Sequence, residues 1–123
     1  MERRIPRSRP KALTGKTYQI STGCGTLYIT INSDEVGIFE LFATIGKTGG
    51  CAASQCEAIG RIVSLALRTG APVKSIIKQL SGIACQYPTG IEDKKVFSCS
   101  DAIGKIIKLH VEEAEQNKTD IIK

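Results

Sequence analysis

The chain reads as one α+β domain with the element order β-β-β-α-α-α. Three observations predict this. Apolar residues alternate with polar ones up to about residue 45, the signature of half-buried strands. Beyond residue 50 the apolar spacing changes to that of amphipathic helices. The breaks between the strands are too short for parallel crossovers, so the strands form an antiparallel meander, with the helices packed on one face.

The elements follow in order. Residues 1–13 are expected to form an extended basic tail or linker remnant, because Pro6 and Pro10 block helix and neighbouring arginines repel one another. The domain proper is expected over residues 14–116. In residues 16–22, Tyr18 and Ile20 face one way and Thr17, Gln19 and Ser21 the other. Gly23-Cys24-Gly25 breaks the strand. In 26–31, Leu27, Ile29 and Ile31 share a face, so two strands flank a Gly-X-Gly hairpin turn. Asn32-Ser33-Asp34-Glu35 has turn composition. Residues 36–45 form the third strand, with Phe39, Leu41, Ala43 and Ile45 toward the core.

Helical spacing of Ala52, Cys56, Ile59, Val63 and Ala66, joined by Ile62 and Leu65, predicts a helix over 52–69 with Gly70 as its stop. Pro72 opens a second helix striped by Val73, Ile76, Ile77 and Leu80, ended by Gly82. Residues 83–97 lack periodicity, and a loop of that length is usually functional or disordered. Ser98 or Ser100 caps a last helix with Asp101 in its first turn and Ile103, Ile106, Ile107, Val111 and Ala114 on its buried face. Fraying is expected over 117–123.

A chain of 123 residues suits a single domain with its own core. No apolar run approaches the length of a membrane span, and the N-terminus lacks the apolar segment of a secretory signal. Five cysteines is an odd number, which speaks against an exported disulfide framework and places the expected home of the chain in the cytoplasm. The net charge of +5 resides in Arg3, Arg4, Arg7, Arg9, Lys11 and Lys16, set against the single acid Glu2, and the remaining body is close to neutral. A nucleic-acid reader would carry its charge on a folded, aromatic-studded face, and this chain has no tryptophan. The two edges of a three-stranded sheet and its open face give a surface for a homo-oligomer.

Cys24, Cys51, Cys85 and Cys99 each fall at a boundary between elements. Four thiolates make a complete tetrahedral zinc set, so these four are the candidate metal ligands. No C-x-x-C pair is present, and inert thiols or a thiol–disulfide pair remain alternatives. Cys56 lies on the apolar stripe and reads as core.

Gly46-Lys47-Thr48-Gly49-Gly50 resembles a phosphate loop only in part. The Walker pattern needs a glycine where Leu41 stands. Free N–H groups at a helix start still favour an anion. Lys47, Thr48, Gly49, Gly50, Ser54 and Gln55 are therefore the candidate binders of a nucleotide or other phosphorylated ligand, with tight turning of the chain as the plain alternative. The only histidine, His110, falls on the buried side of the last helix. No catalytic triad can be built from it, so independent catalysis is not expected.

The chain resembles a known family at Arg9-Pro10-Lys11-Ala12-Leu13-Thr14-Gly15-Lys16-Thr17-Tyr18, Gly23-Cys24-Gly25, Gly49-Gly50-Cys51, Gly82-Ile83-Ala84-Cys85 and Ser98-Cys99-Ser100-Asp101. These motifs, in this order over residues 9–110, are similar to the TSCPD domain found at the C-terminal end of adenosylcobalamin-dependent (class II) ribonucleotide reductases and in small stand-alone proteins. The name motif appears as Phe97-Ser98-Cys99-Ser100-Asp101, two positions away from Thr-Ser-Cys-Pro-Asp. The resemblance implies an accessory role in nucleotide metabolism, with cysteines that bind metal or assist thiol chemistry. Adenosylcobalamin would enter only through a separate reductase catalytic subunit. The alternative is a phage-type protein that sequesters a nucleotide second messenger.

Overall fold

A computed structural model describes residues 4–46, 50–85, 87–91 and 95–122, with side chains up to 116. Three strands, β1 (Thr14–Thr22), β2 (Gly25–Ser33) and β3 (Ile38–Ile45), precede three helices, α1 (Gly50–Arg68), α2 (Val73–Leu80) and α3 (Cys99–Ile122). The sheet is an antiparallel meander in the order β1-β2-β3. Thr22 pairs with Gly25, so Gly23 and Cys24 form a two-residue hairpin loop. Gly23 has no room for a side chain, because a Cβ there would collide with the Tyr87 carbonyl. Register places Ile20, Leu27 and Ile45 in one row and Tyr18, Ile29 and Ala43 in the next.

The third strand starts at Ile38, two residues later than the pattern predicts. The Asp34 carboxylate accepts the Val36 and Gly37 N–H groups at 3.0 and 3.1 Å, which holds those residues in a turn. Val36 is consequently exposed.

The core joins Leu27, Ile29, Ile31, Leu41 and Ala43 of the sheet to Cys56, Val63 and Leu67 of α1, Ile76 of α2 and Ala102, Ile103, Ile106 and Ile107 of α3. In α1 the apolar stripe is narrower than its composition. Ile62 and Leu65 are exposed, while Gly60 and Leu67 are buried. The reason is close approach to β3: a Cβ on Gly60 would stand 3.2 Å from the Leu41 carbonyl oxygen. In α3, Ala114 is exposed and Asp101 is buried. The helix continues through Ile122, past the residue 117 expected for fraying.

The basic segment before β1 is extended and also tied down. Arg4 donates to the Thr69 and Gly70 carbonyls, Arg7 pairs with Asp34 at 2.7 Å and covers the Phe39 ring, and Arg9 pairs with Glu40. The long segment between α2 and α3 folds back on itself through reciprocal backbone bonds between Thr89 and Val96. Its Glu92 and Asp93, read as turn residues, lie outside the described residues.

Ser98 is the cap of α3, its hydroxyl accepting the Asp101 N–H at 3.1 Å. The Asp101 carboxylate, 1% exposed, accepts the Gly82 and Phe97 N–H groups at 2.8 and 3.0 Å and pairs with Lys105. Burial alone would raise its pKa, but the two backbone donors and Lys105 outweigh it and hold the carboxyl below 3.8. Asp101→Ala strands two backbone N–H groups and should cost about 2–4 kcal/mol in chemical denaturation.

At the other end of α3, the Tyr18 hydroxyl lies 2.8 Å from His110 Nδ1 and 3.2 Å from Glu113. Burial and then Lys16 push His110 below 6.5, against the pull of Glu113. A histidine pKa lowered by folding stabilises the neutral-ring fold above the unfolded value, and that contribution disappears as pH falls through the folded value. The melting temperature of the wild type should therefore drop below pH 6.5 more steeply than that of His110→Gln.

Candidate functional site

Two places concentrate chemistry. The first is a trough of about 1040 Å³ between α1 and the outer edge of β3. A strand edge exposes unpaired N–H and C=O groups. Here α1 covers part of that edge, and the Ser64 hydroxyl both accepts from Leu41 N–H and donates to Leu41 C=O, each at 3.0 Å. Small residues on this helix face, Gly50, Ala53, Ser54, Gly60 and Ser64, leave the space open. Arg61 and Arg68 add positive charge, while Phe42 and Leu65 present exposed apolar surface.

Arg68 is notable for its Nε, which is buried without a hydrogen-bond partner among the described residues. Such a donor costs about 1–3 kcal/mol unless an acceptor arrives. Nearby, Arg9 binds Glu40 through both guanidinium arms at 2.9 and 3.0 Å, and Asn32 donates to the same carboxylate at 2.7 Å. Arg9 holds Glu40 below its usual 4.5 despite burial, with Asn32 and the charge of Arg68 assisting.

Of the six residues predicted to bind an anion, Gly50 and Ser54 line the trough at the start of α1. Gly50 has a left-handed φ of 80°, with no atom within 4 Å of where a Cβ would be. Ser54 donates to the Cys51 carbonyl at 3.0 Å. Gln55 is exposed and is not among the trough's lining. Lys47, Thr48 and Gly49 lie outside the described residues. The sequence reading missed Arg61 and Arg68. Their spacing from Ser54, seven and fourteen residues along one helix, was the available signal.

The second place is a corner of thiols. Cys24 lies within interaction range of Cys99 and Cys85; burial and then these two neighbours push its thiol above 9.0. Cys56 is buried beside Cys99 and near Cys24, and burial first, then these neighbours, push it up to about 12. Three of the four predicted ligands, Cys24, Cys85 and Cys99, thus converge, joined by Cys56. Cys51 is exposed and is not among the thiols acting on Cys24 or Cys56. Five helical residues turn the chain by about 140°, so Cys51 and Cys56 face different directions. Among the described residues no three His, Cys, Asp or Glu side chains are grouped to hold a metal ion. No described helix is long and apolar enough to cross a membrane.

Removing Arg9 tests the wall of the trough. In Arg9→Ala the Glu40 carboxyl should titrate at higher pH, toward 4.5, in a carbon-detected NMR titration. A carboxyl lowered by folding stabilises above the unfolded pKa and ceases to do so as pH falls through the folded one. The variant should therefore lose part of the acid sensitivity that the wild type shows below pH 4.5.

No curated protein and no solved structure matches this chain. The model of the TSCPD domain matches residues 3–111 of the 123, which takes in the docked arginine segment, the sheet, α1, α2 and the first half of α3. The chain belongs to the TSCPD domain family.

Proposed function

We propose that this TSCPD domain is a non-catalytic nucleotide-binding module of nucleotide metabolism, acting beside a ribonucleotide reductase, and that its ligand lies in the trough along α1. The observation that carries the reading is Arg68 Nε in the trough wall, which has no hydrogen-bond partner among the described residues. A phosphate oxygen is the acceptor such a group lacks. The rest of the lining suits the other half of a nucleotide. Phe42, half exposed, offers an aromatic face to a base, and Leu65 offers apolar contact. Arg61 and the start of α1 add charge and free N–H groups.

Among the described residues the trough's lining holds no histidine and no cysteine. His110 is engaged with Tyr18, and the trough's lining does not include it. The described residues form a three-stranded sheet with three helices and no barrel that could house radical chemistry.

The length of the trough favours a second reading. Its lining runs from Gly50 to Arg68, about 27 Å of helix. Its volume is at the upper end of small-molecule pockets, which span roughly 300–1,000 Å³. A dinucleotide or cyclic oligonucleotide messenger fills such a space better than a mononucleotide, and binding without turnover would then sequester it.

One screen separates these readings. Thermal shift followed by calorimetry of the full chain, against mono-, di- and triphosphate ribonucleotides and cyclic dinucleotides, should find a ligand that raises the melting temperature. Arg61→Glu and Arg68→Gln should each weaken its binding by roughly tenfold or more. A preference for cyclic dinucleotides selects sequestration. Absence of any shift at high ligand excess sinks both.

A further inference from the structure

The corner of thiols lies away from the trough and carries a separate inference. Its geometry begins with Thr22, the last residue of β1. The Thr22 hydroxyl donates to the Gly25 carbonyl at 2.7 Å and accepts the backbone N–H of Cys24 at 3.2 Å. The Cys99 thiol, at the first residue of α3, reaches the same hydroxyl oxygen at 3.9 Å. One side chain thus contacts two cysteines that are 75 residues apart in the chain.

Cys85 is brought to the same corner by two further contacts. Its N–H donates to the Phe97 carbonyl at 2.9 Å, and its sulfur accepts the Tyr87 N–H at 3.3 Å. Tyr87 in turn lies directly over Gly23 of the hairpin loop. Access is open from outside. Cys24 is exposed and lines a hollow of about 550 Å³ with Thr22, Gly23, Gly25, Thr26, Tyr28 and Gly46.

Cys24 interacts with Cys99, and no three-donor metal group forms among the described residues. Pairwise sulfur chemistry is what such an arrangement supports. We propose that Cys24 and Cys99 form a reversible disulfide by exchange with a small-molecule disulfide, stapling the β1–β2 hairpin to the start of α3.

The exchange balances in two steps. The Cys24 thiolate attacks one sulfur of the small disulfide, forming a mixed disulfide and releasing one thiolate. That thiolate takes up the proton Cys24 gave to solvent. Cys99, deprotonated in turn, attacks the Cys24 sulfur and displaces the second small thiol. Two protein thiols lose two electrons, and one small disulfide becomes two thiols. Excess thiol reverses both steps. Cys56, buried behind Cys99, stays protonated throughout.

The test uses the full chain equilibrated in mixtures of reduced and oxidised glutathione, quenched with acid and mapped by peptide mass spectrometry. A Cys24–Cys99 linked peptide should appear with oxidation and vanish on return to excess thiol, and the linked form should melt at higher temperature. Cys51→Ser should leave the midpoint unchanged. Cys99→Ser should trap glutathione on Cys24. Cys24→Ser, in an exposed turn where folding is safe, should abolish the link. Oxidation that stops at a glutathionylated Cys24 in the wild type would overturn the proposal. So would a linked peptide that excludes Cys99, or uptake of one zinc by the reduced chain with no link formed at any redox ratio.

Discussion

The side chain of Asp101 sits where α2 has ended, the long connection closes and α3 begins. A carboxylate in that position would be costly if it were unpaired. Its two oxygens instead take the N–H of Gly82 and of Phe97, and Lys105 balances its charge. These contacts bring residues 82 and 97 together across the fourteen residues that separate them. That connection carries Cys85 and Tyr87, and its return strand leads into Cys99. The thiol corner therefore leans on this buried acid, together with the Cys85 bond to the Phe97 carbonyl and the packing of Tyr87 over Gly23.

The trough depends on a different constraint. A helix lying along a strand must approach closely enough to bury the strand's edge, and the contacts of Gly60 and Ser64 with Leu41 achieve that. Close approach at the middle of α1 narrows its buried face. Leu65 and Arg61, which a broad amphipathic pattern would assign to core and solvent, end up together on the trough wall. The docked arginine segment completes that end of the site, because Arg9 neutralises Glu40 next to Arg68.

Much of this was legible in the residues. Alternation in the strands, the Gly-X-Gly hairpin, Pro72 before the second helix and a serine cap (Ser98 or Ser100) on the third all act over a few residues, where steric and hydrogen-bonding preferences decide the outcome. The thiol site was legible in part. Cys24, Cys85 and Cys99 stand at element boundaries, and boundary positions come together at one end of a layered fold. Cys56 was legible as core and not as a neighbour of Cys99. Its burial follows from helical period, but its partner follows from where α3 crosses α1, which no local pattern encodes. The role of Asp101 was hidden for the same reason: an acid in a first helical turn looks like a dipole partner until the Gly82 and Phe97 donors are seen beside it.

The sequence by itself determined the element order, the antiparallel sheet, the helix starts, the stops of the first two helices and the family, because these rest on local periodicity, turn chemistry and ordered motifs. Tertiary structure alone decided which cysteines meet, which arginines are anchored and which face the trough. Those outcomes depend on distances between residues far apart in the chain. Arg7 and Arg9 look like a repelling basic run until Asp34, Phe39 and Glu40 are placed against them. Arg68 looks like the last charged residue of a helix until packing buries its Nε with no partner among the described residues.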